Sequence, residues 1–494
     1  MPAPNAIIDY INKNSGKFVQ RLAKAVSIPS VSGDAAYREA VFDMAKFLRD
    51  ELEAVGVTVR FADLGKQVLD GKELNLPPAI LGSIGNDKNK KTVLLYGHYD
   101  VQPALKSDGW YTEPFTLTVD NESGRLVGRG STDDKGPVLG WINILQAHHD
   151  LKLELPVNIK FCLEGMEESG SEGLDELVVA ERGSNKFFDG IDCACIVWRR
   201  ASFRSTPYLT IPQSDNYWLN TRTPCITYGL RGIVYFKVNV RGAGQDLHSG
   251  VFGGLVHEPM TDLVILLSKL VTPLGKILIP GVNDLVAPLT KDERERYETL
   301  DYSISDVEGV LGGKLTVSSD KETVLMNRMR YPSLSIHGIE GAFSAPGAKT
   351  VIPANVSGKF SIRLVPDQTP DAIEVCVKEY LMQEFAKLES KNTLEIELIH
   401  GGKPWVASPD HWNYRAAIKA TEIVYGQTPD LTREGGSIPV VLTFAEALGV
   451  NICLLPMGRA DDGAHSTNEK LDLSNYIEGT KLLGTYLYEL ATAQ

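Results

Sequence analysis

The sequence predicts an α/β protein with a mostly parallel central sheet flanked by helices, into which a second, α+β domain is inserted. Over the first part of the chain, short apolar runs alternate with helical stretches, a pattern typical of parallel sheets covered by helices. From about residue 228, apolar and polar residues alternate as they do in half-exposed strands. The α/β pattern resumes near residue 407. We therefore assign 1–227 and 407–494 to one discontinuous domain and 228–406 to the inserted domain.

The first domain is predicted to open with two helices, because apolar residues recur there at helical spacing. In chain order we predict helices at 6–26 and 34–55, a strand at 92–100, a helix at 135–150, a strand at 156–168, helices at 410–425 and 437–448, a strand at 450–456 and a helix near 473–491. In such sheets, ligands gather beyond the carboxyl ends of the strands. Polar clusters that end an apolar run are therefore the candidate functional residues.

The inserted domain is predicted to contain half-exposed strands and two helices. The strands are predicted at 232–243, 357–366 and 393–402, and the helices at 258–271 and 370–388. Segment 284–331 is charged and weakly periodic, so we predict surface structure for it.

The composition excludes several classes of protein. The chain has 494 residues and a formal net charge of −13, which argues against non-specific nucleic-acid binding. No apolar segment approaches the ~18 residues of a membrane span, and the first residues lack the pattern of a signal peptide. Six cysteines without a CxxC pair fit free thiols in a reducing cytosol. We expect a cytoplasmic protein with neither nucleic acid nor membrane as a partner.

Metal-type ligands follow apolar runs in five short segments. In "LLYGHYDVQP", His98 and Asp100 share a face of an extended chain, so His98 could bind a metal while Asp100 fixes its tautomer. In "GRGSTDDKGP", Asp133 and Asp134 lie side by side, and their repulsion calls for a cation or a helix N-terminus nearby. The structural alternatives are a hydrogen-bonded His–Asp pair in the first segment and a helix cap in the second.

The other three segments supply carboxylates and a second histidine. In "CLEGMEESGSEG", Glu167 and Glu168 lie at the end of a predicted buried strand, so one could bind metal while the other accepts a proton. A solvated acidic loop is the alternative. Asp215 in "SDNYWLN" and His465 in "LLPMGRADDGAHSTNEKL" are single candidates, for which a structural role is the alternative.

Taken together, the segments offer two histidines and at least three carboxylates. This set suits Zn, Mn or Co rather than Ca or an iron–sulfur cluster. Five ligands exceed one tetrahedral site but fit two metals that share a carboxylate and a bridging hydroxide. Hydrolases use this arrangement, with the metals polarising a carbonyl while a free Glu transfers the proton.

Six segments resemble the M20 family of metallopeptidases, in order and over nearly the whole chain. They are "GHYDVQP", "GRGSTDDKGP", "EGMEESGSEG", "SDNYWL", "DLHSGVFGG" and "GAHSTNEKL". The branch they most resemble is that of cytosolic non-specific dipeptidases, which includes carnosine dipeptidase 2-like enzymes and fungal Cys-Gly dipeptidases. The resemblance implies a homodimeric dipeptidase of glutathione catabolism that acts on small dipeptides such as Cys-Gly. It also implies a catalytic domain, a lid and dimerisation domain, and two divalent metal ions per subunit, Zn²⁺ or Mn²⁺.

The resemblance implies a role for each candidate ligand. His98 and Asp215 would hold one metal ion. Glu168 and His465 would hold the other, and Asp133 would bridge the two.

Catalytic roles follow from the same resemblance. Glu167 would be the general base, and Asp100 would orient His98. His248 in "DLHSG" would stabilise the oxyanion in the site of the partner subunit, so that the dimer is required for catalysis. The peptide bond Asp133–Asp134 would be cis.

Four further residues would bind the dipeptide's carboxylate and backbone. They are Arg363, Thr350, His400 and Ser437. A guanidinium fork suits a free carboxylate, although a surface salt bridge is the alternative for Arg363.

Residues Val197–Gln213 depart from the family pattern, in which a "CVCISDNYWL"-like strand runs straight into the ligand Asp. Here a basic segment without acidic residues separates that strand from Asp215. A displaced ligand is costly, since ~1 Å of misplacement can reduce the rate ~100-fold. We interpret the segment as a retained intron. A Val codon begins with GT and a Gln codon can end with AG, so the coding sequence can carry the splice signals of both intron ends. A genuine surface loop is the alternative.

Two other functions remain open. Another M20 hydrolysis, either N-acyl-amino-acid deacylation or carboxypeptidase action, would use the same metal site. A non-catalytic binding or scaffold protein is the second alternative, if residues 197–213 disable the site.

Overall fold

The structure is a computed structural model, which describes residues 3–69, 71–197, 217–314, 316–436 and 438–494. Asp215, Ser437 and the insertion beyond Val197 lie outside the described residues.

Helices and strands alternate through most of the described chain. The α-helices are α1 (Asn5–Val26), α2 (Arg38–Ala54), α3 (Lys135–Leu151), α4 (Leu174–Ala180), α5 (Ser249–Phe252), α6 (Pro259–Ser268), α7 (Lys291–Thr299), α8 (Ile304–Leu311), α9 (Lys321–Met329), α10 (Pro370–Ala386), α11 (Trp412–Tyr425), α12 (Pro439–Leu448) and α13 (Leu473–Thr492). The strands are β1 (Thr58–Ala62), β2 (Lys66–Leu69), β3 (Lys72–Asn75), β4 (Ala79–Ile84), β5 (Thr92–His98), β6 (Thr118–Asp120), β7 (Arg125–Val127), β8 (Asn158–Glu164), β9 (Cys193–Ile196), β10 (Cys225–Leu230), β11 (Gly232–Arg241), β12 (Leu247–His248), β13 (Ser333–Glu340), β14 (Val351–Ile352), β15 (Asn355–Leu364), β16 (Thr393–Gly402), β17 (Trp405–Val406), β18 (Asp430–Glu434), β19 (Asn451–Leu454) and β20 (Lys470–Asp472). Every predicted helix and strand overlaps an observed element of its type.

The larger sheet is mixed, with a parallel centre, as predicted. Within the described residues it has nine strands, in the order β1-β4-β8-β5-β9-β19-β10-β17, and β18 also pairs with β10. The neighbours β8, β5, β9 and β19 are parallel to one another. Their carboxyl ends therefore lie at one edge of the sheet.

Both faces of this sheet are covered, and β5 shows this because its successive side chains point to opposite faces. Val93 and Leu95 pack in the core cluster that includes apolar residues of α1, α3 and α13. Leu94 and Tyr96 pack on the other side, in a cluster with residues of α4 and α12. This double burial explains why β5 reads as a continuous apolar run.

A second sheet is antiparallel, in the order β13-β15-β11-β16. Val234 and Phe236 of β11 pack with Leu263 of α6 and Val377 of α10 in a separate core. Tyr235, between them in sequence, lies on the opposite face. The alternating pattern of the sequence therefore reflects a sheet that helices cover on one side.

The prediction of surface structure for 284–331 missed a buried cluster. Helices α7, α8 and α9 lie in this segment, and Leu325 and Met329 are buried beside Trp218 and Cys225. Helix α7 is mostly charged, α8 has no fully buried residue, and only a few residues of α7 and α9 enter the core. Their apolar periodicity is weak for this reason.

Among the described helices, none has both the length and the apolar character that crossing a bilayer requires.

Candidate metal centre

Side chains from several strand ends meet at the carboxyl edge of the parallel strands. His98 ends β5, and Glu167 and Glu168 form a 3-10 turn just after β8. His465 lies in the loop that follows β19, and Asp133 lies in the loop before α3. The common direction of the strands is the reason that these distant segments converge.

Asp133 lies between two histidines. Its Oδ1 is 3.1 Å from Nε2 of His98, and its Oδ2 is 2.9 Å from Nε2 of His465. Oε2 of Glu168 is 3.0 Å from the same His465 nitrogen. The ligand atoms of Asp133, Glu168 and His465 all lie within 4.8 Å of one another. The structure therefore brings together four of the five predicted metal ligands.

Asp100 holds His98 and the Glu167–Glu168 turn in a fixed relation. Its Oδ1 is 3.1 Å from Nδ1 of His98, which leaves Nε2 directed toward Asp133. The Asp100 carboxylate also accepts the backbone N–H groups of Glu167 and Glu168, at 3.2 and 2.9 Å. One buried carboxylate thus sets the position of a histidine and of two glutamates.

The loop before α3 approaches β5 closely because residue 97 is a glycine. A Cβ atom on Gly97 would lie 2.5 Å from Cγ2 of Val138 and 2.7 Å from Oδ2 of Asp134. That Asp134 oxygen accepts the backbone N–H of His98 at 3.1 Å. The peptide bond between Asp133 and Asp134 is cis, in agreement with the resemblance.

The electrostatics of the cluster favour positive charge at His98 and His465. Burial by itself lowers the pKa of His98, but hydrogen bonds to Asp100 and Asp133 outweigh it and raise the pKa well above its ordinary value. Burial also lowers the pKa of His465, whereas Glu168 and Asp133 raise it, to about 9. Both shifts have the same origin, which is a group of buried carboxylates that stabilises any nearby cation.

The residue types fit a divalent metal ion. Imidazole nitrogens and carboxylate oxygens are the ligands that Zn²⁺ and Mn²⁺ accept in proteins. Asp133 and Glu167 are both almost completely buried, and a buried carboxylate is costly unless a cation or hydrogen bonds compensate it. A metal ion bound between Asp133, Glu168 and His465 would supply that compensation.

A second acidic group nearby has a different character. Asp461, Asp462 and Asp472 also cluster within the described residues. Nζ of Lys470 lies 2.9, 2.7 and 2.8 Å from their carboxylates. The lysine already supplies the positive charge, so this group is an ion-pair network.

Three other predicted residues that the structure describes lie on other sheets, namely His248, Arg363 and His400, and Thr350 directly precedes β14. His248 pairs with Val351 in the two-stranded sheet β12–β14, and the carbonyl of Thr350 accepts the Ser249 N–H at 3.2 Å. Arg363 lies on β15 and His400 on β16.

Those two strands flank β11, where Arg363 is opposite Ile233 and His400 is opposite Tyr235. Both positions belong to the sheet face that faces away from α6 and α10. Asp215 and Ser437 lie outside the described residues.

Several polar residues around the cluster were not predicted from the sequence. Gln102 donates from Nε2 to Oε2 of Glu168 at 2.9 Å. Glu164 accepts the hydroxyl groups of Tyr96 and Ser171, at 2.5 and 2.8 Å, and burial raises its pKa to about 7. An acidic residue inside a buried strand was the available signal for Glu164.

Comparison with known proteins gives concordant matches. Residues 94–489 match the model of Peptidase family M20/M25/M40. Cys-Gly metallodipeptidase dug1 of Schizosaccharomyces pombe is 52% identical over 486 residues, which are 98% of this chain and 98% of that protein. Beta-Ala-His dipeptidase of Homo sapiens is 45% identical over 488 residues, which are 98% of this chain and 92% of that protein.

Solved structures agree over the full length. The di-peptidase Dug1p from Saccharomyces cerevisiae has a TM-score of 0.85 at 49% identity, with 99% of this chain and 98% of that chain covered. Human carnosine dipeptidase 1 has a TM-score of 0.86 at 44% identity, with 100% of both chains covered. The arrangement of the sheets is therefore that of known peptidases.

Asp100→Asn is expected to weaken metal binding without unfolding the protein. Both oxygens of Asp100 accept hydrogen bonds, so either orientation of an amide would direct N–H groups at a donor. Substitution of a residue that orients a metal ligand costs roughly 10–100-fold in affinity or activity. The measurement is titration of metal-free protein with Zn²⁺ in competition with a chromophoric chelator.

The matched control is Asp63→Asn, because Asp63 is exposed and accepts the backbone N–H of Gly65 outside the metal centre. Equal Zn²⁺ affinities in Asp100→Asn and the control would contradict the role of Asp100.

Proposed function

The chain belongs to peptidase family M20/M25/M40 and is a metal-dependent dipeptidase, and we propose that it hydrolyses Cys-Gly and related dipeptides with two divalent metal ions per subunit, Zn²⁺ or Mn²⁺. The observation that carries the proposal is the group formed by the buried Asp133 and the half-buried Glu168 and His465 at the carboxyl edge of the sheet. The dipeptide substrate is supported by relatives named Cys-Gly metallodipeptidase and Beta-Ala-His dipeptidase.

In the proposed site, Asp133 would be a ligand shared by two metal ions. Support comes from its two oxygens, which face two different histidines. His98 and Asp215 would complete one site, and Glu168 and His465 the other. Bound there, the metal ions would polarise the scissile carbonyl and lower the pKa of the attacking water.

Glu167 is proposed as the general base. It is buried directly beside Glu168, and its backbone N–H is fixed by Asp100 at 3.2 Å. A carboxylate held next to a metal ligand can take a proton from the attacking water and pass it to the leaving amine. Glu168 would remain a ligand, so the two neighbours would have separate roles.

Residues of the second sheet, together with Thr350 and Ser437, are proposed to bind the substrate. The guanidinium of Arg363 would hold the free carboxylate of the dipeptide, because a planar fork matches a carboxylate's two oxygens. Thr350, His400 and Ser437 would bind the backbone.

His248 is proposed to act in the site of a partner subunit within a homodimer. Its Nδ1 accepts the Gly250 N–H at 3.0 Å, so the neutral ring carries its proton on Nε2 as a free hydrogen-bond donor for an oxyanion. The neighbouring apolar side chains of Val251 and Leu255 are 60% and 75% exposed. A second copy of the chain that covered this surface would bury them.

The proposed domains remain 1–227 with 407–494 for catalysis and 228–406 for the lid. Support comes from the separate core of the smaller sheet, whose buried residues run from Val234 to Leu381. Strand β10 extends to Leu230 within the larger sheet, so the first junction would lie a few residues later. We also propose a cytoplasmic location and a role in glutathione catabolism. The origin of residues 197–213 as a retained intron stays a prediction.

Removal of metal is expected to abolish hydrolysis, and Zn²⁺ or Mn²⁺ is expected to restore it. The measurement compares chelator-treated and reconstituted protein on Cys-Gly, other dipeptides, N-acyl amino acids and longer peptides. Metal content measured on the same samples is expected to be about two ions per subunit, as in two-metal hydrolases. Faster turnover of acylated amino acids or of longer peptides would favour deacylase or carboxypeptidase action. Absence of all turnover in metal-loaded protein would favour the binding or scaffold alternative.

Glu167→Ala is expected to keep the metal and the fold but to lose roughly 10²–10⁴-fold in kcat, because proton transfer loses its catalyst. The assay measures kcat, metal content and the unfolding midpoint together. Glu172→Ala is the control, because Glu172 is an exposed acid in the following turn. Undiminished kcat in Glu167→Ala would refute its role as base.

Complementation between subunits tests His248. His248→Ala and Glu167→Ala are each expected to be nearly inactive as homodimers. A heterodimer of one His248→Ala subunit and one Glu167→Ala subunit can be isolated through two different tags. If His248 acts across the interface, this heterodimer has one complete site, and about half of wild-type activity is expected. If His248 acted in its own subunit, both sites would be defective and the heterodimer would stay inactive.

A further inference from the structure

The loop that carries Asp133 is bound by one buried carboxylate, that of Glu469. Its Oε1 accepts the backbone N–H groups of Thr132 and Asp133, at 3.1 and 3.2 Å. Its Oε2 accepts the backbone N–H of Gly130 at 3.1 Å and Nη1 of Arg129 at 2.7 Å. Each oxygen therefore accepts two hydrogen bonds from the same short stretch of chain.

Glu469 belongs to the segment that carries the other histidine, since it follows His465 by four residues. Its own carbonyl accepts the Gly128 N–H at 2.9 Å. A second carboxylate of this segment, Asp462, accepts the hydroxyl of Thr132 at 2.9 Å. The loop before α3 and the loop after β19 are thus joined by side-chain and backbone contacts.

We propose that Glu469 is a positioning residue that fixes Asp133 relative to His465 before metal binds. The inference rests on the proposed function, in which Asp133 and His465 are metal ligands. The Glu469 carboxylate acts through the backbone of residues 130–133. Without it, three buried N–H groups would lose their acceptor, and the loop would have to be ordered at the expense of metal affinity.

A purely structural role for Glu469 makes a different prediction. Glu469 and Arg129 are both buried, so the carboxylate also compensates a buried guanidinium. If that were its only task, a substitution would lower stability but would leave the metal affinity and ligand geometry of the folded protein unchanged. The two roles are therefore separated by measurements on the metal itself.

The test is Glu469→Gln in the full-length protein, with Co²⁺ as the probe. Because each oxygen accepts two hydrogen bonds, either amide orientation loses two of them. Co²⁺ affinity of the metal-free protein is expected to fall roughly 10–100-fold, the usual cost of losing support for a metal ligand. The visible absorption spectrum of bound Co²⁺ is expected to change, and kcat on Cys-Gly is expected to fall while KM changes little.

Glu489→Gln is the matched control. Glu489 is a buried glutamate that pairs with Nζ of Lys419 at 2.8 Å, between α13 and α11. It is expected to bind Co²⁺ with wild-type affinity and spectrum, even if its unfolding midpoint falls.

Wild-type Co²⁺ affinity and spectrum in folded Glu469→Gln would overturn the inference and leave only a structural role. If Glu469→Gln does not fold, Glu469→Asp decides, because it keeps both oxygens but shortens their reach by one methylene. Weaker Co²⁺ binding in Glu469→Asp supports positioning, and unchanged binding overturns it. Failure of the wild-type protein itself to bind Co²⁺ would instead refute the proposed metal site, and this inference with it.

Discussion

Buried negative charge is the constraint on which the centre of this structure depends. Four parallel strands end at one edge, and the carboxylates gathered there are almost completely removed from water. Such a group is stable only if positive charge and N–H donors surround it. Asp133 has an imidazole on each side, and the raised pKa values of His98 and His465 have the same cause. A cation-binding site is a direct consequence of this electrostatic requirement.

The carboxylates divide into those that face the cation position and those that hold the backbone. Asp100 accepts N–H groups from the turn after β8, and Glu469 accepts N–H groups from the loop before α3. Both are buried carboxylates, and hydrogen bonds to an ionised carboxylate are stronger than those between neutral groups. The candidate ligands are therefore held in place by the protein, which would reduce the ordering cost of metal binding. In the proposed function, chemistry and substrate recognition would also be separated, because the proposed substrate residues Arg363 and His400 lie on the second sheet.

The sequence could predict the elements and most of the candidate ligands because those signals are local. Apolar periodicity over a few residues distinguishes helix from strand, and His98, Asp133 and Glu168 each directly follow an apolar run or precede a helix. The segment 284–331 was predicted less well. Its short helices bury few residues, one in α7, none in α8 and three in α9, so no long periodic stripe results.

What the sequence by itself determined is the class of fold, the order of its elements and the residue types available for a metal site. Tertiary structure decided which acidic residues serve that site. Asp133–Asp134 and Asp461–Asp462 are both adjacent pairs in Gly-containing loops. Two imidazoles face Asp133 of the first pair, whereas Lys470 neutralises the second pair. Likewise, Glu469 lies more than 300 positions from the loop that it holds. The physical reason is that charge compensation depends on distance in space, and no spacing along the chain records which opposite charge will be near.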